Sequence, residues 1–146
     1  MLPSDLAREW LAMSSIGDPD RRHLGISPEA LHRAGGICVA RVHTLGATWD
    51  QDPAGKPMMI IAGFNGPAPS IYVPRRAPVV VDLIAVSPND ASVYRRTGAG
   101  TVLSPEFLDA AITDGIRVPI FDHPLPWLRA GCLGVVLLDF AERRAA

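Results

Sequence analysis

Charge of one sign is what this chain most plainly lacks. Its 14 lysines and arginines nearly balance 15 aspartates and glutamates, giving a net charge of −1. The chain as a whole is therefore not a polycation built to hold nucleic acid. Lysine is almost absent: Lys56 stands alone, and every other basic residue is arginine. Arginine suits bidentate contacts to carboxylate or phosphate, and a GC-rich genome produces the same bias. Cysteine is scarce. Cys38 and Cys132 each sit in an apolar context, outside any C-x-x-C or cysteine–histidine cluster. They read as reduced core thiols of a cytosolic protein, with a disulfide between them left open. No apolar run reaches the roughly 18 residues of a membrane-spanning helix. Residues 1–10 lack the basic start and apolar core of a signal peptide. A cytoplasmic protein with no membrane contact is expected.

Signatures of catalysis are missing as well. His23, His32 and His43 show no i, i+4 pair of the kind that holds zinc on a helix. No G-x-S-x-G nucleophile elbow occurs, and neither the phosphate-loop nor the dinucleotide fingerprint is found. Gly98-Ala-Gly100 is too short to cradle a phosphate. No metal and no cofactor is expected from these patterns.

Apolar residues are what the chain has in plenty. They make up 48% of it against 20% charged residues, with a mean hydropathy of +0.18. This composition excludes general disorder. A length of 146 residues fits one domain that can bury a substantial core. The apolar excess fits either a large core or a surface that a partner covers.

The elements follow from punctuation. Ser4 can cap a helix running to about Met13. Ser27 caps a second, with Pro28 in its first turn and Gly35-Gly36 as its stop. Residues 37–44 read as a strand whose Cys38, Ala40 and Val42 face is apolar, with Arg41 and His43 on the other. A turn-rich loop follows, then a strand at 58–62. Ile71-Tyr-Val73 reads as a short edge strand bounded by proline. Val79 to Val86 is the strongest strand, apolar on both faces, and Ser92 to Arg96 returns beside it. Ser104-Pro-Glu starts a helix that Gly115 ends. Residues 116–121 form an edge strand interrupted by Pro119, 124–130 a short helix, and 133–140 a final buried strand. This irregular order predicts a single α+β domain over 1–146 with a helical N-terminal segment, 1–35. Its sheet is mixed or mostly antiparallel, flanked by short helices.

Candidate chemistry concentrates in a few residues. Asp82 lies inside an apolar run, and a carboxylate buried there needs a cationic or hydrogen-bonding partner. It is either a metal-binding or general-base acid, or an acid paired with Arg75, Arg76, Arg95 or Arg96. Asp139 ends another apolar run. Asp122 precedes a helix that it can cap, and His123 follows it. If their strand ends converge, Asp82, Asp139, Asp122 and His123 could bind a divalent ion for phosphodiester hydrolysis. Arg75-Arg76 and Arg95-Arg96, with Tyr72 and Tyr94 nearby, could hold a nucleic-acid backbone and stack a base, or form an ordinary solvated face. Trp127 sits in a short proline-bounded helix. Exposed, it would anchor a protein partner; buried, it is core.

Four segments together resemble a known group. Val81-Asp-Leu-Ile-Ala-Val-Ser-Pro-Asn-Asp90, Tyr94-Arg-Arg-Thr-Gly98, Pro124-Leu-Pro-Trp-Leu-Arg-Ala-Gly131 and Gly134-Val-Val-Leu-Leu-Asp139 carry the likeness. The group comprises small, functionally uncharacterised bacterial proteins associated with prophage and mobile-element replication genes. The likeness spans residues 79–139 and brings no catalytic residues with it. It implies a mobile-element accessory protein. The expectation is a non-catalytic adaptor that binds a protein, and a nucleic-acid-processing assembly is one setting it would suit. The alternative is the metal-dependent phosphodiester hydrolase. Oligomeric state stays open.

Overall fold

Near-continuous apolar runs within residues 56–64 and 80–86 organise the molecule. The structure is a computed structural model that describes residues 2–66, 79–90, 92–100 and 102–138. It contains α1 (Pro3–Ala12), β1 (Ser14–Ser15), α2 (Asp18–His23), α3 (Pro28–Arg33), β2 (Cys38–Leu45), β3 (Thr48–Gln51) and β4 (Lys56–Phe64). There follow β5 (Val80–Val86), β6 (Val93–Arg95), β7 (Val102–Leu103), α4 (Pro105–Asp114), β8 (Ile120–Phe121), α5 (Pro124–Arg129) and β9 (Val135–Leu137). The fold is α+β with a mixed sheet, as the sequence predicts. Among the described residues no helix is long and apolar enough to cross a membrane.

The main sheet closes on itself. Its order is β1-β2-β3-β6-β5-β4, and β4 also pairs with β2. The long strand β2 makes this possible. Residues 38–42 of β2 pair antiparallel with β4, and residues 42–45 pair with β3 on the opposite edge. The result is a five-stranded barrel of β2, β3, β6, β5 and β4, in which only the β3–β6 contact is parallel. Closure satisfies the backbone donors and acceptors that open edges would leave unpaired. Strand β3 is absent from the sequence reading because Trp49 is its only large apolar residue. The two-residue connection Gly46-Ala47, with Gly46 at φ 61, folds β3 back onto β2.

Side chains of successive residues point to opposite faces of a strand, and here both faces are buried. Met58, Ile60, Ala62 and Phe64 of β4 join Leu83 and Ala85 of β5 in an inner cluster with Trp49 and Val42. Met59 and Ile61 of β4 join Ile84 and Val86 of β5 in an outer cluster. The outer cluster is covered by Ala30 of α3, by Leu125, Trp127 and Leu128 of α5, and by Val136 of β9. A second sheet, ordered β7-β9-β8, lies in that outer layer, with β8 parallel and β7 antiparallel to β9. Helix α1 contributes Leu6 to the inner cluster and covers one end of the barrel. Trp49 spans the interior and donates from Nε1 to Leu83 O at 3.0 Å. Burying each such side chain stabilises by roughly 1.5–3 kcal/mol.

Local starts differ from the sequence reading in three places. Helix α1 begins at Pro3 with Leu2 as its cap, since the fixed φ of proline suits the first helical position; Ser4 lies inside it. Ser104 precedes α4 in the left-handed region, φ 56, and makes no capping bond. The cap of α5 is His123, whose Nδ1 accepts from Leu125 N at 3.0 Å, not Asp122. That helix starts at Pro124, one residue later than an Asp122 cap requires. Ser27 does cap α3, accepting from Ala30 N at 3.1 Å. The strand expected at 71–73 lies outside the described residues.

The turn from β3 to β4 leaves no space for a side chain at Gly55. Its N–H donates to Asp52 O at 2.8 Å, and a Cβ there would run into the Val42 backbone. Gly55→Ala is expected to destabilise the fold by about 1–3 kcal/mol through overpacking. Urea unfolding measures this, and a midpoint equal to wild type would show that the turn relaxes freely.

Candidate functional site

Asp82 has a structural partner set that the sequence did not identify. Residue 82 faces Gly63 across the β4–β5 ladder, where the register shifts so that Phe64 meets Val80. The side chain is 0% exposed. Its Oδ1 accepts from Leu83 N and Thr97 N, each at 2.9 Å, and its Oδ2 accepts from Gly100 N at 3.0 Å. Hydrogen bonds of this kind to a charged acceptor offset the cost of burying it. The loop after β6 thus wraps around the carboxylate. A Cβ on Gly100 would come within 2.9 Å of Asp82 Cβ, so the loop closes only with glycine there. The carboxylate is held by backbone amides; Arg75 and Arg76, two of the four arginines expected as partners, lie outside the described residues. Arg95 donates instead to Gly100 O at 2.5 Å and so holds the other side of the same loop.

Of the residues that sequence offers for a metal site, Asp82, Asp122 and His123 lie among those described. Among the described residues no three of His, Cys, Asp and Glu are grouped to hold an ion. Asp139 lies outside the described residues. His123 is 4% exposed and caps α5, while Asp122 beside it is half-buried. Asp82 is sealed from solvent, with both its oxygens engaged.

The arginine face is equally committed where it is described. Arg96 lies between Glu9 of α1, at 3.4 Å, and Asp50 of β3, at 3.2 Å. Its guanidinium stands 5.6 Å from the Trp49 ring centroid, a cation–π contact, and donates to Trp49 O at 3.4 Å. Arg96 therefore ties α1 to the barrel and is no free phosphate contact. Tyr94 packs against the inner cluster. Arg75, Arg76 and Tyr72 lie outside the described residues. Trp127 is 2% exposed, and its Nε1 donates to Gly134 O at 3.1 Å. It is core, because the helix turns it inward over β9, and it presents no surface to a partner.

Both cysteines are free and buried, and they sit in different clusters. Burial pushes the Cys132 thiol up to about 12, with the charge of Arg33 opposing the rise. Burial also raises Cys38. Neither is an activated nucleophile.

Three features escaped the sequence reading. One is a small cavity lined by Arg33, Phe64, Leu103, Ser104, Glu106 and Trp127, among others. Glu106 Oε2 is buried there without a hydrogen-bond partner. Desolvation pushes its carboxyl above the usual range and the charge of Asp109 adds to this, against lowering bonds from its own backbone and from Ser104. The second is a cleft of about 340 Å³ between α2 and the barrel wall, lined by Val39, Pro57 and Met59 among others. The third is a run of exposed apolar side chains after α4 begins: Ile112 at 77%, Ile116 at 55% and Ile120 at 64%. Only the run has a direct sequence signal, its spacing of four; the other two form through contacts between distant segments. Comparison of the chain with protein-family models, with curated proteins and with solved structures finds no match.

Two substitutions test this site. Asp82→Asn keeps the shape but sets an amide NH2 against a backbone N–H, leaving a donor unsatisfied. A loss of roughly 2–4 kcal/mol is expected, and equal stability by chemical denaturation would contradict the anchor role. For Glu106 the sign is set by its raised folded pKa. Stability from its protonated form is present below the unfolded pKa and lost as pH rises through the folded value. Glu106→Gln should therefore be more stable than wild type at neutral pH, with the gap closing in acid. Thermal melts across pH 3.5–7.5 read this out, and a gap that widens toward acid would refute it.

Proposed function

We propose that this chain is a non-catalytic accessory or adaptor protein that acts by binding a protein partner. Its setting, a bacterial mobile element and a nucleic-acid-processing assembly, rests on the resemblance of residues 79–139 alone. The supporting observation is where the polar and apolar groups sit. The acid best placed for chemistry, Asp82, is closed off by backbone amides, and Arg96 is held by acids of the fold. Several large apolar side chains remain outward. Ile112, Ile116 and Ile120 are exposed on α4, the segment after it and β8, and β8 is the edge strand of its sheet. Scattered surface leucines and isoleucines are ordinary, but an exposed Ile120 on an edge strand, with Ile116 exposed four residues before it, suits a protein contact.

The test is affinity capture from the native host with wild type and with Ile116→Lys plus Ile120→Lys. Both side chains are exposed, so the variant should melt within a few degrees of wild type, in line with surface changes of about ±0.5 kcal/mol. A partner kept by wild type and lost by the variant is expected. Equal recovery by both proteins, or recovery by neither, would overturn the reading.

A further inference from the structure

We infer that the cleft between α2 and the barrel wall is a binding site for a small organic cation with a flat apolar body. It goes beyond the protein-binding reading and involves other elements: α2, β2, β4 and the turn after β5.

The cleft reaches the core. Met58 and Met59 both line it and are 6% and 2% exposed; Met59 belongs to the outer cluster with Ile16, Leu24 and Val39 of the same lining, whereas Met58 faces the inner cluster. Methionine sulfur is polarizable, adapts its shape and makes favourable contacts with aromatic rings. Met59 on this face therefore favours a flat, unsaturated occupant. Pro57 and Pro88 stand in the walls, and their fixed φ limits collapse of the cleft. Its volume of about 340 Å³ lies in the range of small-molecule sites, which are mostly apolar with a few placed polar groups.

Helix α2 supplies the third wall and the charge. A buried guanidinium fixes this helix: Arg21 Nη1 donates to Ile26 O at 2.6 Å and Nε lies 3.5 Å from Asp18 Oδ1. Arg22 Nε donates to Asp18 O at 3.3 Å. Both neighbouring cations are thus engaged elsewhere. Asp20 is the one carboxylate in the cleft lining, and among the described residues it makes no ion pair. His23 and Asn89 add hydrogen-bonding groups. An acid at the edge of an apolar floor complements an ammonium carried on an aromatic body, and it repels the corresponding carboxylate.

The experiment uses the full chain with methyl-13C methionine and three probes of one shape: tryptamine, tryptophol and indole-3-propionate. Met13, which does not line this cleft, provides an internal control. Tryptamine is expected to shift the Met59 methyl saturably while Met13 stays fixed. It should bind about three- to fivefold tighter than tryptophol, the scale of one partly exposed ion pair. Indole-3-propionate should bind more weakly than tryptophol. Asp20→Asn should bring tryptamine to the level of tryptophol and leave tryptophol unchanged. No saturable shift with any probe overturns the site. Equal binding of all three probes, or an Asp20→Asn effect equal on all, overturns the cationic class.

Discussion

The pairing of β4 with β5 is the constraint on which the structure depends. Both strands are buried on both faces. Odd and even positions serve different cores: Ile60 with Leu83 and Ala85 inward, Ile61 with Ile84 and Val86 outward. A one-residue slip in this ladder would exchange every side chain between the two cores. Leu83 and Ala85 fill the barrel interior beside Trp49 and Phe64, while Ile84 and Val86 meet the helical layer. The register is fixed because each face of the pair must fit its own packed core.

Buried polar groups complete what the ladder begins. Asp82 draws in the loop at 97–100, and Arg96, next to that loop, reaches α1 and β3. Leu83 O accepts from both Trp49 Nε1 and Arg96 N. These bonds cost desolvation and return specificity more than net stability. They place the barrel's loops in one arrangement. They also engage Asp82 and Arg96, two of the residues that sequence alone would offer to a metal or a phosphate. The functional reading draws on the exposed isoleucines and on the cleft beside α2.

Much of the architecture was legible in local patterns. Val79 to Val86 announced a strand buried on both faces, and Ser27-Pro-Glu announced α3. Asp82 was legible as an acid needing a partner. The partner's identity was not, because the amides of Thr97 and Gly100 reach it only through a loop closure that no local pattern encodes. Trp127 was ambiguous, since a short proline-bounded helix can face either way, and only the β8–α5–β9 crossover decides it. The cap on α5 was placed one residue early because an aspartate before proline is the commoner signal, whereas an imidazole nitrogen takes the role here. Barrel closure was hidden because it depends on β2 using both edges, and β3 is too short to show an alternation. The cleft beside α2 draws on four separate segments, so no run of residues could reveal it.

If the β4–β5 pair is the common wall of both cores, the barrel and the outer layer form one cooperative unit. Native-state hydrogen exchange under increasing denaturant tests this most directly. The amides of Ile60 and Ile84 in the barrel, and of Leu128 in α5 and Val136 in β9, should exchange with one opening free energy equal to that of global unfolding. Exchange of Leu128 and Val136 through a separate, lower-energy opening, with Ile60 and Ile84 still protected, would contradict the account.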